Sequence, residues 1–437
     1  MKHTFGAFVA LALLVTSGVW AQEFQVDSST NFGLTSIPGS PYSLGERLDG
    51  QFNLPFDQKG GGLDFAAHVQ AALPASLAYD LDKLTFTFVY NKPATDLTSL
   101  TWTLGRFSVT EPTGLILTHP ADGSKWAFNY GGFNLTLVTA YTGFVLKTSS
   151  SMAPSQTDLN NTGLFASPRF IGSVEGSFTV FDSHEITFSA LAQQDLNNRD
   201  SFIKEWSTVQ DTSGKGGALD TQYLTLKADG PIVERLFYDV FGTFGAGNTL
   251  SWVSDPASQT LYSYSYKPIM SYLGGASLTY FLPDFFSSSF SGRVLLASGD
   301  SDWTEPVEGN HQGDSTMFTS LTGTSLGVVF NPSLANLAYF ELGGSLKPLP
   351  FLPLTVGAKA LGFQRMVAGQ INAPGVLRLG PQWMGQELDF NAGWAPFSDL
   401  TVTGALGIFL PTAGTFAAGT PGASFQYALQ TGVKLSL

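Results

Sequence analysis

Connectors of two lengths alternate along the second two-thirds of this chain, and few folds tolerate that pattern. Phe181-Asp182-Ser183, Asp229-Gly230-Pro231, Pro283-Asp284-Phe285, Lys347 to Pro353 and Ala395 to Asp399 are short. Between them fall long polar stretches at 147–167, 197–217, 249–268, 300–334, 366–381 and 412–423. A barrel that crosses a membrane has short turns at one rim and long loops at the other. A soluble sandwich has no reason to sort its loops by end.

The segments between connectors alternate with a period of two, as strands do. Sixteen are expected: 46–54, 63–73, 83–91, 99–107, 131–146, 167–181, 184–196, 218–229, 234–248, 269–282, 286–299, 335–347, 353–365, 382–395, 399–411 and 424–437. Each comes near or exceeds the roughly 9–11 residues that cross a bilayer on a tilt. The last is the cleanest. Phe425, Tyr427, Leu429, Thr431, Val433, Leu435 and Leu437 form one face, and Ser424, Gln426, Ala428, Gln430, Gly432, Lys434 and Ser436 the other. Such a strand is expected to close the barrel and to be engaged by barrel-assembly machinery.

Two stretches resist the scheme. Residues 108–130 are long where a short turn is due, so either a further hairpin makes eighteen strands or the segment folds into the barrel mouth. Residues 320–331 have strand character, but the alternation of ends assigns them to a loop. The expected fold is therefore all-β, a transmembrane antiparallel up-and-down barrel of about 16–18 strands.

Composition agrees. With 48 Gly, 36 Phe, no Cys and only 13% charged residues, this is a poor recipe for a soluble enzyme. Mean hydropathy is +0.10, too low for membrane helices but natural where lipid-facing and lumen-facing residues average out. Lys2 and His3 precede an apolar run from Phe5 to Val15, then Val19-Trp20-Ala21. That reads as a signal peptide, residues 1–21, cut after Ala21, with no Cys there for lipid attachment. Polar residues 22–45 read as a periplasmic lead-in, and 46–437 as one barrel. The net charge of −13 argues against a nucleic-acid partner. Trp102, Trp126, Tyr141, Tyr272, Tyr280, Trp383 and Trp394 fall near strand ends, where an interfacial girdle would lie.

Two motifs invite catalytic or metal readings. Gly323-Thr324-Ser325-Leu326-Gly327 fits a nucleophile elbow, which needs a strand–turn–helix setting and a later His. No His follows Ser325; beyond the signal peptide the chain has His68, His119, His184 and His311. The acidic run Ser298 to Asp302, with Glu305, Glu308 and Asp314, offers hard oxygen ligands but lacks the twelve-residue calcium-loop pattern. A solvated loop is the better reading. No catalytic group, metal site or cofactor is expected.

The informative polar residues share faces with small ones. If Leu388, Phe390 and Trp394 meet lipid, Glu387 and Asp389 meet the lumen. By the same parity Glu175, Lys227, Asp239, Arg293, Glu341, Lys359 and Lys434 point inward, as do Glu185 and Asn391. An Arg or Lys on the lipid face would cost about 2–4 kcal/mol at midplane. These residues, with Arg106, are the candidate determinants of lumen selectivity.

Several short motifs resemble the alginate-export family of outer-membrane barrels. They are Ala297-Ser298-Gly299-Asp300, Asn331-Pro332, Leu346-Lys347-Pro348, Gly385 to Asp389 and Gly407 to Pro411, with Leu104-Gly105-Arg106-Phe107 upstream. The resemblance covers the C-terminal third and that one patch. It implies an eighteen-stranded or similar barrel that passes a solute. The Arg-rich lining of alginate exporters is absent, so the fold carries over better than the substrate.

The expected role is a porin-like channel in the bacterial outer membrane, passing small hydrophilic solutes by passive diffusion. Its partners would be the bilayer and those solutes, and a homo-oligomer is compatible with the sequence. Three rivals stand beside it. One is an export or uptake barrel for a polysaccharide or hydrophobic solute, gated by residues 108–130 or 300–334. The others are an adhesin or structural barrel and an outer-membrane enzyme.

Overall fold

A computed structural model of the chain describes residues 23–35, 42–56, 61–73, 76–94, 97–153, 158, 162–181, 183–197, 219–254, 261–305, 309–310, 314–349, 351–371, 373, 375–418 and 423–436. Residues 1–21, read as a signal peptide, lie outside them.

Eighteen antiparallel strands form one closed sheet. The first six are Glu23–Thr35, Tyr42–Pro55, Gly62–Leu73, Ser76–Asn91, Ser99–Thr110 and Thr118–Asn129. Phe133–Tyr141, Arg169–Val180, His184–Asp195, Asp220–Val233, Leu236–Ser254 and Tyr262–Leu282 follow. Ser288–Ala297, Leu337–Leu346, Leu354–Arg365, Trp383–Trp394, Leu400–Pro411 and Gln426–Ser436 complete the wall. Each strand pairs with its neighbours in sequence, and the last pairs with the first, Leu435 opposite Ser28. Closure leaves no open edge, which a sheet surrounded by hydrocarbon requires. Among the described residues no helix is long and apolar enough to cross a membrane.

All sixteen expected strands are present, and two more join them. Residues 22–45 were expected to be a lead-in, yet Glu23–Thr35 is a wall strand and the next begins at Tyr42. Its lipid-side parity carries Ser28 and Thr30 beside Phe32 and Leu34, so polarity on both faces hides the alternation. The other is Thr118–Asn129, paired with Ser99–Thr110 across the turn 111–117. Both readings of 108–130 therefore hold, because this is a hairpin whose turn is also buried. Leu115, Ile116 and Leu117 are almost inaccessible.

Alternation decides which face meets what. In Trp383–Trp394, Leu388 is 43% exposed and Glu387 only 1%. Phe170, Phe188, Leu224, Leu226, Phe290 and Leu342 lie on the same outer surface, all exposed. So do Tyr272, Tyr280, Trp383 and Trp394 of the expected girdle. A belt of large apolar side chains around a closed barrel is a surface built for lipid. Leu388→Arg, mid-strand on this belt, should therefore destabilise the barrel by about 2–4 kcal/mol. Urea titration of the protein folded into lipid vesicles measures this, and a loss under 1 kcal/mol would mean the face is not in hydrocarbon.

The inner surface is of two kinds. Towards the short-turn end it is polar and ionic. Towards the long-loop end it carries Ile171, Leu191, Tyr223, Leu273, Leu295, Tyr339, Leu361, Phe363 and Phe409, which pack on loop residues Leu115, Ile116, Met152, Phe318, Leu321, Val329 and Phe330. Inward positions therefore hold bulky apolar groups as well as the small and ionic ones whose shared faces the sequence shows. Where loops fold in, the wall meets protein, so bulky inward groups bury apolar area there instead of lining water.

Candidate functional site

Residues 314–336 of the long connector 298–336 cross the barrel interior. Near its start, Asp300 takes hydrogen bonds from the Thr316 and Asp302 N–H groups and from the Thr316 hydroxyl. Burial opposes ionisation of this carboxyl, but hydrogen bonding from Asp302 and Thr316 outweighs it and holds the group below the ordinary carboxylate range. The Asp300 carboxylate is thus engaged in fixing its own loop. Further on, the Tyr223 hydroxyl donates to the Thr319 carbonyl at 2.5 Å. The Leu321 and Thr322 N–H groups both donate to the Ile116 carbonyl, at 2.8 and 3.1 Å. At the far side the Tyr339 hydroxyl oxygen lies 3.2 Å from the Leu326 carbonyl oxygen. Val329 and Phe330 then donate their N–H groups to the Glu387 carboxylate at 2.7 and 2.8 Å. Phe330 stacks on Phe409, ring centroids 4.6 Å apart, and meets Phe363 edge-on at 4.9 Å.

The turn 111–117 supports this loop from the opposite wall. Its fold depends on Glu111, a buried carboxylate that accepts from the Thr113, Leu115 and Ile116 N–H groups and from the Thr113 hydroxyl. Glu111 had no signal in the sequence beyond lying in an irregular stretch.

Beside the turn lies a cavity of about 320 Å³ lined by Thr113, Lys227, Asp239, Arg293 and Glu341 with Ser and Thr hydroxyls around them. Lys227 pairs with Asp239 at 2.9 Å and Lys359 with Glu341 at 2.9 Å. Glu341 also accepts from the Tyr339 hydroxyl at 2.6 Å. Arg293 stands opposite Glu341 in the strand register but makes no hydrogen bond or ion pair with the described residues. A guanidinium left free on a polar cavity is available to whatever passes.

No protein-family model and no curated protein matches the sequence. Solved structures do. OpdL of Pseudomonas aeruginosa superposes with a TM-score of 0.56 at 12% identity, covering 95% of this chain and 98% of that one. OccK2 (OpdF) of the same organism gives 0.55 at 13%, covering 96% and 100%. OccK2 in complex with glucuronate gives 0.53 at 14%, with the same coverage. The fold is that of an outer-membrane porin. At these identities the likeness is one of architecture. It supports a porin-like barrel, and it does not support the alginate-export resemblance drawn from the short motifs.

Within this porin fold the sequence-derived residues do not form a single site. Lys227, Asp239, Arg293 and Glu341 come together on the cavity, with Lys359 beside them. Glu175 faces the same interior from the Arg169–Val180 strand, near Lys125 and Lys227. Lys434 lies apart and pairs with Asp27 at 2.7 Å.

Glu387 and Asp389 are inward, as expected, but the folded-in loop covers them. Asp389 accepts from the Val328 N–H at 3.3 Å, and neither carboxylate lines the 320 Å³ cavity.

Arg106 is the clearest departure. Hydrogen-bonded pairing between Ser76–Asn91 and Ser99–Thr110 runs only as far as Leu84 opposite Arg106. Arg106 sits where the two strands part, bonded to Asp80, Asp122 and the carbonyls of Leu81 and Phe144. The preceding Gly105, at φ +121°, is forced, since a Cβ there would lie 2.0 Å from the Leu84 carbonyl oxygen. The Gly-Arg pair is a seam in the wall and not a lining of the lumen.

An ionic strip on the first four strands was missed. Arg47 pairs with Asp49 at 2.7 Å and with Asp82 at 3.2 Å, His68 meets Asp82 at 2.8 Å, and Lys83 pairs with Asp64 at 3.0 Å. The spacing Arg47, Asp49, Gln51, Asn53 already showed this face. Asp49, His68 and Asp82 could in principle share a cation, but the Arg47 guanidinium already supplies the positive charge between the two carboxylates.

Ser325 lies in irregular loop backbone, not in a strand–turn–helix elbow. His119 does meet a serine, Ser151, at 3.0 Å. Its other ring nitrogen is buried without a partner among the described residues, and no described carboxylate orients the ring as a general base.

Proposed function

We propose that this chain is an outer-membrane channel that passes small hydrophilic solutes by passive diffusion, screening them by size and charge at a constriction built from folded-in loops. One observation carries the reading. Cationic and anionic side chains, Lys227 and Arg293 beside Asp239 and Glu341, line a cavity on one arc of the inner wall, next to the folded-in turn 111–117. Charges lining a narrow polar path select among solutes without any chemical step. The folded-in loops favour the narrower form of the reading, a selective barrel, over a wide general pore. In this reading residues 1–21 are removed on export and the exposed apolar belt sits in the outer membrane.

The purified protein added to a planar lipid bilayer should give stepwise, ohmic current increments. Glucuronate is a sensible first solute, because OccK2 was crystallised with it. Millimolar glucuronate should reduce the current carried by small ions if it enters the same path. Absence of steps at high protein concentration would remove the channel reading.

A further inference from the structure

We infer that Glu387 is the positioning residue of the constriction, a latch that holds residues 326–330 of the crossing loop against the wall. The inference rests on the channel reading above and names the group that sets the channel's width.

Three consecutive N–H groups of the loop end on two wall carboxylates: Val329 and Phe330 on Glu387, Val328 on Asp389. Among the described residues, 323–330 form no strand pairing of their own; the isolated bridges of this connector fall earlier, at Ser315 and Thr322. The segment is held by side chains, and the two Glu387 oxygens each accept a buried N–H that would otherwise lack a partner. The wall is shaped for the contact. A Cβ on Gly407 would lie 2.7 Å from the Val328 Cβ and 2.7 Å from the Val329 Cγ2. A Cβ on Gly327 would lie 2.8 Å from Glu387 Oε1. Two glycines, one on each side, let loop and wall approach. Phe330 then fills the space against Phe409 and Phe363.

An ordinary lumen carboxylate would act on ions through its charge. A latch acts through the loop. Removing its acceptor oxygens should widen the path and leave ion preference nearly untouched. Glu387→Ala should raise the single-channel conductance by about twofold or more, since the segment crosses the lumen, and should admit solutes the native channel excludes. Glu387→Gln, which keeps one acceptor oxygen, should fall between. Gly407→Val should give the same opening without touching Glu387, by displacing Val328 and Val329 from the wall. The reverse experiment uses the absence of native cysteine. Oxidising Val328→Cys/Gly407→Cys in the Glu387→Ala background should restore the native conductance, and reductant should release it.

Native conductance and cut-off in both Glu387→Ala and Gly407→Val, with a conducting wild type, would overturn the latch and leave the channel reading standing. A changed reversal potential without a changed cut-off would also overturn it, because Glu387 would then act as a lumen charge. Silence from the wild type and both variants alike would remove the channel reading and the latch with it.

Discussion

Arg106→Ala should destabilise the folded barrel by about 3–5 kcal/mol, the range for breaking a buried ion pair by removing one partner. The side chain is 7% exposed, and its partner Asp80 is 5% exposed. Removing the guanidinium strips donors from Asp80, from Asp122 and from two backbone carbonyls at once. The connector after Tyr141 is tied down here twice, by Arg106 on the Phe144 carbonyl and by the Leu146 N–H on Asp80, and it loses the first of these. Urea titration in lipid vesicles, followed by Trp fluorescence, would measure the loss. Adding Asp80→Asn should recover part of it, because the stranded charge is then gone. Ion preference should stay at the native value. A stable variant with altered selectivity would put Arg106 back in the lumen.

Residues of this kind mark where a sequence is readable and where it is not. Glu387 and Leu388 declare opposite faces of one strand because their neighbours repeat the contrast at every second position. That signal is local, and it located sixteen of the wall strands. Glu23–Thr35 lacks it, since Ser28 and Thr30 occupy the lipid-side parity. Thr118–Asn129 lacks it because Pro120, Gly123 and Ser124 blur both faces.

The site was less legible, for a different reason. A period of two separates two faces but does not say what covers the inner one. Phe363, Phe409, Tyr339 and Tyr223 point inward, against the simple rule, because a loop far away in sequence supplies their apolar partners. Val329 lies 58 positions from Glu387, and nothing local to either residue encodes the contact. The charge cluster around Arg293 was found because its members need no loop to define them. Each is an ionic residue on a strand whose other face is apolar.

Arg293 is also where charge should matter most to passing ions. Its guanidinium is unpaired among the described residues, whereas Lys227 and Lys359 are each tied to a carboxylate. A unit charge about 4 Å from an ion in water contributes roughly 1 kcal/mol, about fivefold in relative permeability. Arg293→Gln should thus shift the channel towards cations by up to about fivefold, and Arg293→Glu, a two-unit change, by up to about 25-fold. The sign follows from removing a positive charge from the path. Reversal potentials should be read in salt near 0.1 M, where the screening length is about 10 Å, because at 1 M it contracts to about 3 Å and masks the difference. Releasing the partner of Lys359 by Glu341→Gln should move the preference the other way, towards anions, since that lysine would then face the cavity unneutralised. Equal reversal potentials in the native channel and Arg293→Glu would mean that ions take a route away from this cavity. The ionic strip of Arg47, Asp49, Asp64 and Lys83 on the opposite wall would then be the next place to alter.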